Sequence, residues 1–199
     1  GGDVTGAEAR ARLKETKNLE EALEKFPYNL LFERQIIGHL SRNKDDYIGA
    51  LRELPESLLR MLVHSYQSLI FNRALDQRIR QGMEIGKPLI GDYIIPADNY
   101  GGPDQRKTIE VTERNQTKLE KRCKEGKAWV AGMLPGTKSE YTKGIQGDIE
   151  REVMNEENID FSDFAIDEIS ELSSVGMCRP LRQCLNQIKV EYDDDDPVF

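Results

Sequence analysis

The sequence predicts an α+β fold, with a helical N-terminal half packed with a mixed α/β C-terminal half. Three observations carry this expectation. Residues 61–80, MLVHSYQSLIFNRALDQRIR, contain no Pro or Gly, and their apolar positions recur three and four apart. That is the spacing of a helix, and here of one buried around much of its circumference. The first 85 residues carry the same helical patterning, interrupted only by breaks such as Pro27 and Pro55. Beyond Lys87 the pattern changes to strand-like alternation, as in KTIEVT at residues 107–112.

In chain order, residues 7–19 and 20–26 read as short, charged helices broken at Pro27, because the proline ring removes an N–H and disfavours helix in the residue before it. Residues 30–42 (LLFERQIIGHLSR) form an amphipathic helix through Leu30, Leu31, Ile36, Ile37 and Leu40. Asn43, Lys44 and Asp45 make a turn, residues 46–54 another helix, and Pro55-Glu56-Ser57 opens the long one. Pro suits a first helical turn and Glu the positive end of the dipole. Gly82 and Gly86 close it.

The second half opens with a strand at 92–96 (DYIIP), a Gly/Pro/Asp loop at 97–105 and a strand at 107–112. Residues 113–125 form a helix stopped by Gly126, and 128–134 (AWVAGML) a strand whose Trp129 belongs to the core. Residues 135–147 (PGTKSEYTKGIQG) are a basic, Gly-rich, turn-forming segment, followed by a helix at 148–158 with acids in its first turn. Residues 161–172 are short, acidic and irregular or helical. Residues 180–192 (PLRQCLNQIKVEY) read as one or two strands, entered through a hinge at Ser173, Ser174 and Gly176.

At 199 residues, 38% hydrophobic and 32% charged, the chain can bury about 70% of its unfolded surface in one good core or two small ones. No apolar run approaches the roughly 20 residues of a membrane span, so no membrane partner is expected. The polar N-terminus GGDVTGAEAR is no secretory leader and lacks an initiator Met, so a chain cut from a longer polypeptide is expected. Cys123, Cys178 and Cys184 form no CxxC pair and leave one over, which points to a reducing, cytoplasmic setting. With only His39 and His64 to add, no metal site is expected. The net charge of −8 is concentrated: residues 148–171 carry −9 and residues 191–196 carry −5, which leaves +6 on the rest. Screening over about 8 Å lets such a basic part act apart from distant acids, so polyanion binding is compatible with the overall sign.

Five strings together carry a family resemblance: HSYQSLIFNRALDQR at 64–78, PLIGD at 88–92, GKAWVAGMLP at 126–135, GDIER at 147–151 and ELSSVGMCRP at 171–180. In this order and spacing the chain resembles the TruD family of tRNA pseudouridine synthases, in its archaeal–eukaryotic style. The resemblance implies isomerisation of uridine to pseudouridine in RNA, typically at position thirteen of tRNA, by a catalytic aspartate without a cofactor. It also implies a split catalytic sheet with a TRUD domain inserted. Residues 1–178 resemble that insertion, with 1–85 helical and 86–178 mixed, and residues 179–199 resemble a strand returning toward the catalytic sheet. The family's catalytic aspartate lies in a Gly-x-Lys-Asp-Lys motif upstream of the matched region, and that motif does not occur here. Lys44-Asp45 lacks its Gly and second Lys and lies in a polar helix–helix turn, so Asp45 is not assigned a catalytic role and no catalytic residue is expected.

What remains to assign is binding. Loop bases Lys138 and Lys143, beside Gly136, Tyr141 and Gly144, suit contact with RNA, since Gly-rich backbone can approach phosphate and Tyr141 can stack on a base. Arg114 and Lys118 alternate with Glu113 and Glu120, which fits a solvated helix as well as a phosphate contact. Arg179 and Arg182 fit either a cleft beside the active site or the outer face of a strand. Within the long helix, His64, Tyr66, Gln67, Phe71 and Asn72 are assigned to a structural spine, the polar ones bracing neighbouring helices. The acids of 148–171 are expected on a solvated face. The expected function is RNA grip and shape recognition within a tRNA pseudouridine synthase, with tRNA or another structured RNA and the catalytic domain of the same polypeptide as partners. The alternative is a non-catalytic helical interaction module that uses its acidic faces.

Overall fold

The computed structural model describes residues 5–182, so Cys184 and the strand expected past Arg182 lie outside the described residues. The chain forms two compact units, Gly1–Gln67 with Ser162–Ser174, and Ser68–Phe161 with Val175–Phe199. The change from helices to strands near Lys87 and the division between units are different boundaries, because the division falls inside the long helix. No helix among the described residues is long and apolar enough to cross a membrane.

The first unit is built from α1 (Gly6–Thr16), α2 (Leu19–Lys25), α3 (Leu31–Arg42), α4 (Tyr47–Arg52) and the start of α5 (Glu56–Arg80). Local chemistry sets their ends. Thr5 and Glu8 form a reciprocal capping box, Asn18 accepts the N–H of Glu21 at 3.1 Å, and Asp46 accepts that of Gly49 at 2.9 Å. Two small cores hold the unit. Ala9, Ala22, Phe26 and Ile37 join α1 to α3, while Leu54 and Leu59 meet Leu172 of a 3₁₀ segment, Asp167–Leu172.

The α3–α4 turn is clasped by His39, which lies 2.9 Å from Asp46 Oδ2 through Nε2 and 3.3 Å from Glu53 Oε1 through Nδ1. The Asp46 carboxylate, with Glu53 adding, raises the imidazole pKa above its usual 6.5 against a smaller effect of desolvation. A raised folded-state pKa contributes stability that is fully present below the unfolded value and is lost as pH rises through the folded one. The melting temperature should therefore fall as pH rises above the ordinary histidine value of about 6.5 in the wild type, and less in His39→Gln. Parallel melting curves for the two proteins would remove His39 as the cause.

Among the described residues the second unit is built on a four-stranded antiparallel sheet in the order β2-β1-β3-β4, made of β1 (Tyr93–Pro96), β2 (Ile109–Glu110), β3 (Ala128–Leu134) and β4 (Met177–Pro180). β3 is central and buried over six of its seven positions, which is why its sequence is a continuous apolar run rather than an alternation. Ala128 and Val130 face a core with Ile94, Phe71 of α5, and Leu119 and Cys123 of α6 (Gln116–Lys124). Gly132 lies on the same face, where a Cβ would stand 3.0 Å from the Phe71 ring and 2.9 Å from Leu181. The glycine is what lets the α5 ring reach the sheet.

Several expectations need correction. α5 is not buried all round: Met61, Leu62, Leu69 and Ile79 are exposed, because only the faces carrying Ile70, Phe71, Ala74 and Arg78 turn inward. In the assigned spine Gln67 and Phe71 are buried and Tyr66 is half-buried, whereas His64 and Asn72 are exposed and brace no core. α7 (Gly144–Glu156) begins four residues before the expected Asp148, taking in part of the Gly-rich segment. Its acids are not uniformly solvated, since Glu150 is 1% exposed. β4 covers Met177–Pro180, earlier than the strand read from residue 180, and it pairs Arg179 with Gly132.

Candidate nucleic-acid interface

Four of the five family-like strings meet in one buried polar network, through Arg78, Asp92, the Met133 N–H and Glu150. Arg78 of α5, fully buried, binds both oxygens of Asp92 at 2.8 and 2.7 Å, and its Nη1 also donates to Gln146 Oε1 at 2.9 Å. Gln146 Nε2 in turn donates to Glu150 at 3.2 Å. Glu150 also accepts the N–H of Met133 at 3.3 Å and the N–H and hydroxyl of Thr142 at 2.9 and 3.0 Å. Burial pushes the Glu150 pKa up, opposed by these donors. Charges are tolerated in an interior when they are paired in this way, and of the Arg78 guanidinium only Nε has no hydrogen-bond partner among the described residues.

The network anchors the basic loop that leaves the end of β3. Thr142 is held by Glu150, the Lys143 N–H donates to the Gly91 carbonyl at 3.0 Å, and the Lys138 N–H donates to the Val175 carbonyl at 3.1 Å. Gly91 has φ +92, and a Cβ there would lie 2.5 Å from the Lys143 backbone, so this close approach depends on glycine. At the surface of this loop Lys138 is exposed and makes no ion pair among the described residues. Lys143 is exposed too and binds Glu110 at 2.7 Å, a contact that raises its pKa and keeps it cationic. Tyr141 is half-buried against Phe161, ring centroids 4.7 Å apart, with the Arg151 guanidinium 5.0 Å from its centroid. Its ring is thus engaged in holding the loop.

The other assigned bases divide between places. Arg114 follows β2, whose last residue holds Lys143, so it lies at the same end of the sheet as Lys138 and Lys143, and Lys118 is in the first turn of α6. Both are exposed. Arg179 sits on β4 with its guanidinium 4.9 Å from the Phe71 ring centroid. Arg182 lies past β4, toward the opposite end of the sheet, beside Gly86 in an open groove also lined by Lys87, Glu120 and Lys124. The sequence-assigned bases therefore do not form one patch. The sequence reading missed Arg78, Asp92, Gln146 and Glu150; the signal available was that a charged residue at the i+7 step from Phe71 continues the buried face of α5.

Asp92, Asp104 and Glu150 are the buried carboxylates among the described residues, and donors of the fold engage each of them. Asp45 is exposed in the α3–α4 turn. The Cys178 thiol is pushed up to about 11 by burial, with Glu150 adding, and Cys123 is buried. No group of three His, Cys, Asp or Glu among the described residues is placed to hold a metal ion.

The family model described as tRNA pseudouridine synthase D (TruD) matches residues 3–199. A protein of Methanosarcina acetivorans named "Probable tRNA pseudouridine synthase D" is 35% identical over 185 residues, 93% of this chain and 41% of its own length. A protein of the same name from Thermococcus sibiricus is 38% identical over 198 residues, 100% of this chain and 46% of its own. The TruD crystal structure from Methanosarcina mazei superposes with a TM-score of 0.84 at 35% identity, covering 89% of this chain and 41% of that one. The chain thus spans less than half the length of these relatives.

Proposed function

Since the chain belongs to the TruD family of tRNA pseudouridine synthases, we propose that it is the RNA-gripping part of an enzyme converting uridine to pseudouridine in tRNA. The catalytic aspartate then belongs to a domain of the same polypeptide outside these residues, and this part alone is inactive. The coverage of less than half of each relative and the missing Gly-x-Lys-Asp-Lys motif support that division. The enzyme works in the cytoplasm without metal or cofactor, on tRNA or another structured RNA.

The observation that carries the binding role is the anchored loop with outward bases, Lys138 and Lys143, with Arg114 at the same end of the sheet. Phosphates would lie against these cations, each contact releasing counterions and making affinity salt-dependent. Arg179, Arg182 and Lys118 take secondary places along the RNA path, and Tyr141 stiffens the loop. In a salt titration of tRNA binding, Lys138→Ala and Lys143→Ala should each weaken the complex and flatten the log–log slope by about one unit. Unchanged slopes in both variants would remove the loop from the interface. The absence of any salt-sensitive complex with the wild type would favour an interaction module using its acidic faces.

A further inference from the structure

We infer that the loop between β1 and β2 carries a second RNA contact, in which an unpaired nucleobase stacks on Tyr100 while neighbouring phosphates meet Arg106 and Lys107. The inference rests on the RNA-binding reading above but concerns a different place, since this loop leaves the opposite end of the sheet from Lys138 and Lys143. Tyr100 is 97% exposed, the most exposed of the large hydrophobic side chains among the described residues. A single exposed ring needs no explanation by itself; the way this one is presented does.

Its backbone is fixed. The Asp98 carboxylate accepts the N–H groups of Tyr100 at 2.8 Å and Gly102 at 2.9 Å, and the Asp98 N–H donates to the Gly102 carbonyl at 2.7 Å. An isolated bridge between Ala97 and Pro103 closes the loop below. Gly101 stands at φ +83, a left-handed conformation that favours glycine, with open space where a Cβ would be. Such rigid presentation lowers the ordering cost of stacking, and every base has a π-face for it.

The flanking charges are oriented to match. Asp104, 5% exposed, holds Arg106 Nε and Lys107 Nζ, each at 3.0 Å, and those two cations hold its carboxyl down to about 2. Arg106 and Lys107 nevertheless keep 86% and 70% of their side chains exposed. Local acids are thus consumed within the loop while the cations face outward. The seven residues of β3 separate the two ends of the sheet by about 23 Å, too far for the two contacts to share a partner within the protein.

The test uses this chain and tRNA at low salt. Tyr100→Ala should bind about tenfold more weakly or worse, as expected for loss of one stacked base, and Tyr100→Phe should bind as the wild type does. Both should melt like the wild type, because the ring supports nothing. The loss should add to that of Lys138→Ala in the double variant and should vanish on a fully paired RNA duplex, which offers no free base. If Tyr100→Ala keeps wild-type affinity for tRNA while the Lys138 and Lys143 variants lose it, the stacking inference is overturned and the basic-loop reading stands. If the wild type forms no salt-sensitive complex, both fall.

Discussion

Replacing Arg78 with methionine is expected to destabilise the Ser68–Phe161 unit by about 3–5 kcal/mol, the usual result of removing one partner of a buried ion pair. The loss of attraction is the smaller part. The substitution leaves Asp92, 1% exposed, with one of its oxygens bonded only to the Leu89 N–H and the other to nothing. It also removes the donor to Gln146, loosening the chain of bonds through Glu150 to Thr142 and hence the basic loop. The measurement is the urea midpoint of the transition reporting this unit. A second variant, Arg78→Met with Asp92→Leu, should be less destabilised than the sum of the singles, because an apolar pair leaves no uncompensated charge. If the Arg78→Met midpoint matched the wild type, the network would have no structural role.

Phe71→Ala is expected to cost about 3–5 kcal/mol. The ring is 3% exposed, lies in the core with Ile94, Val130 and Leu181, and fills the space that Gly132 leaves on the sheet. Truncation would leave a cavity there, because nothing on the sheet can grow to fill it, and it would also free the Arg179 guanidinium from its aromatic face. Phe71→Leu should recover much of the loss. Thermal melting measures both, and tRNA affinity of Phe71→Ala well below its melting temperature should remain near wild type. A selective loss of affinity in the folded variant would instead place Arg179, displaced with the ring, among the RNA contacts.

Much of this was legible in the residues. Ala128–Leu134 is the strand that its apolar run indicates, and α3 begins within one residue of its expected start and ends where expected. Less legible was the role of charge. α7 carries acids at Asp148, Glu150 and Glu152, and nothing in their spacing separates the buried middle one from its solvated neighbours. Likewise Lys138 and Lys143 read as one kind of residue, yet one has no ionic partner among the described residues and the other is engaged by Glu110. Tyr100 stood inside a segment read only as a loop, since exposure of its ring depends on how Asp98 folds the backbone.

By itself the sequence determined the order and type of the elements, their breaks at Pro and Gly, and the family, because periodicity, caps and ordered strings are local properties of the chain. The tertiary structure alone decided which polar residues are interior. Arg78 meets Asp92 fourteen residues away and Gln146 sixty-eight away. Burial is set by such distant contacts, and no window of sequence contains them. The same long-range closure decides which loop bases are free to face a phosphate and which rings are free to meet a base.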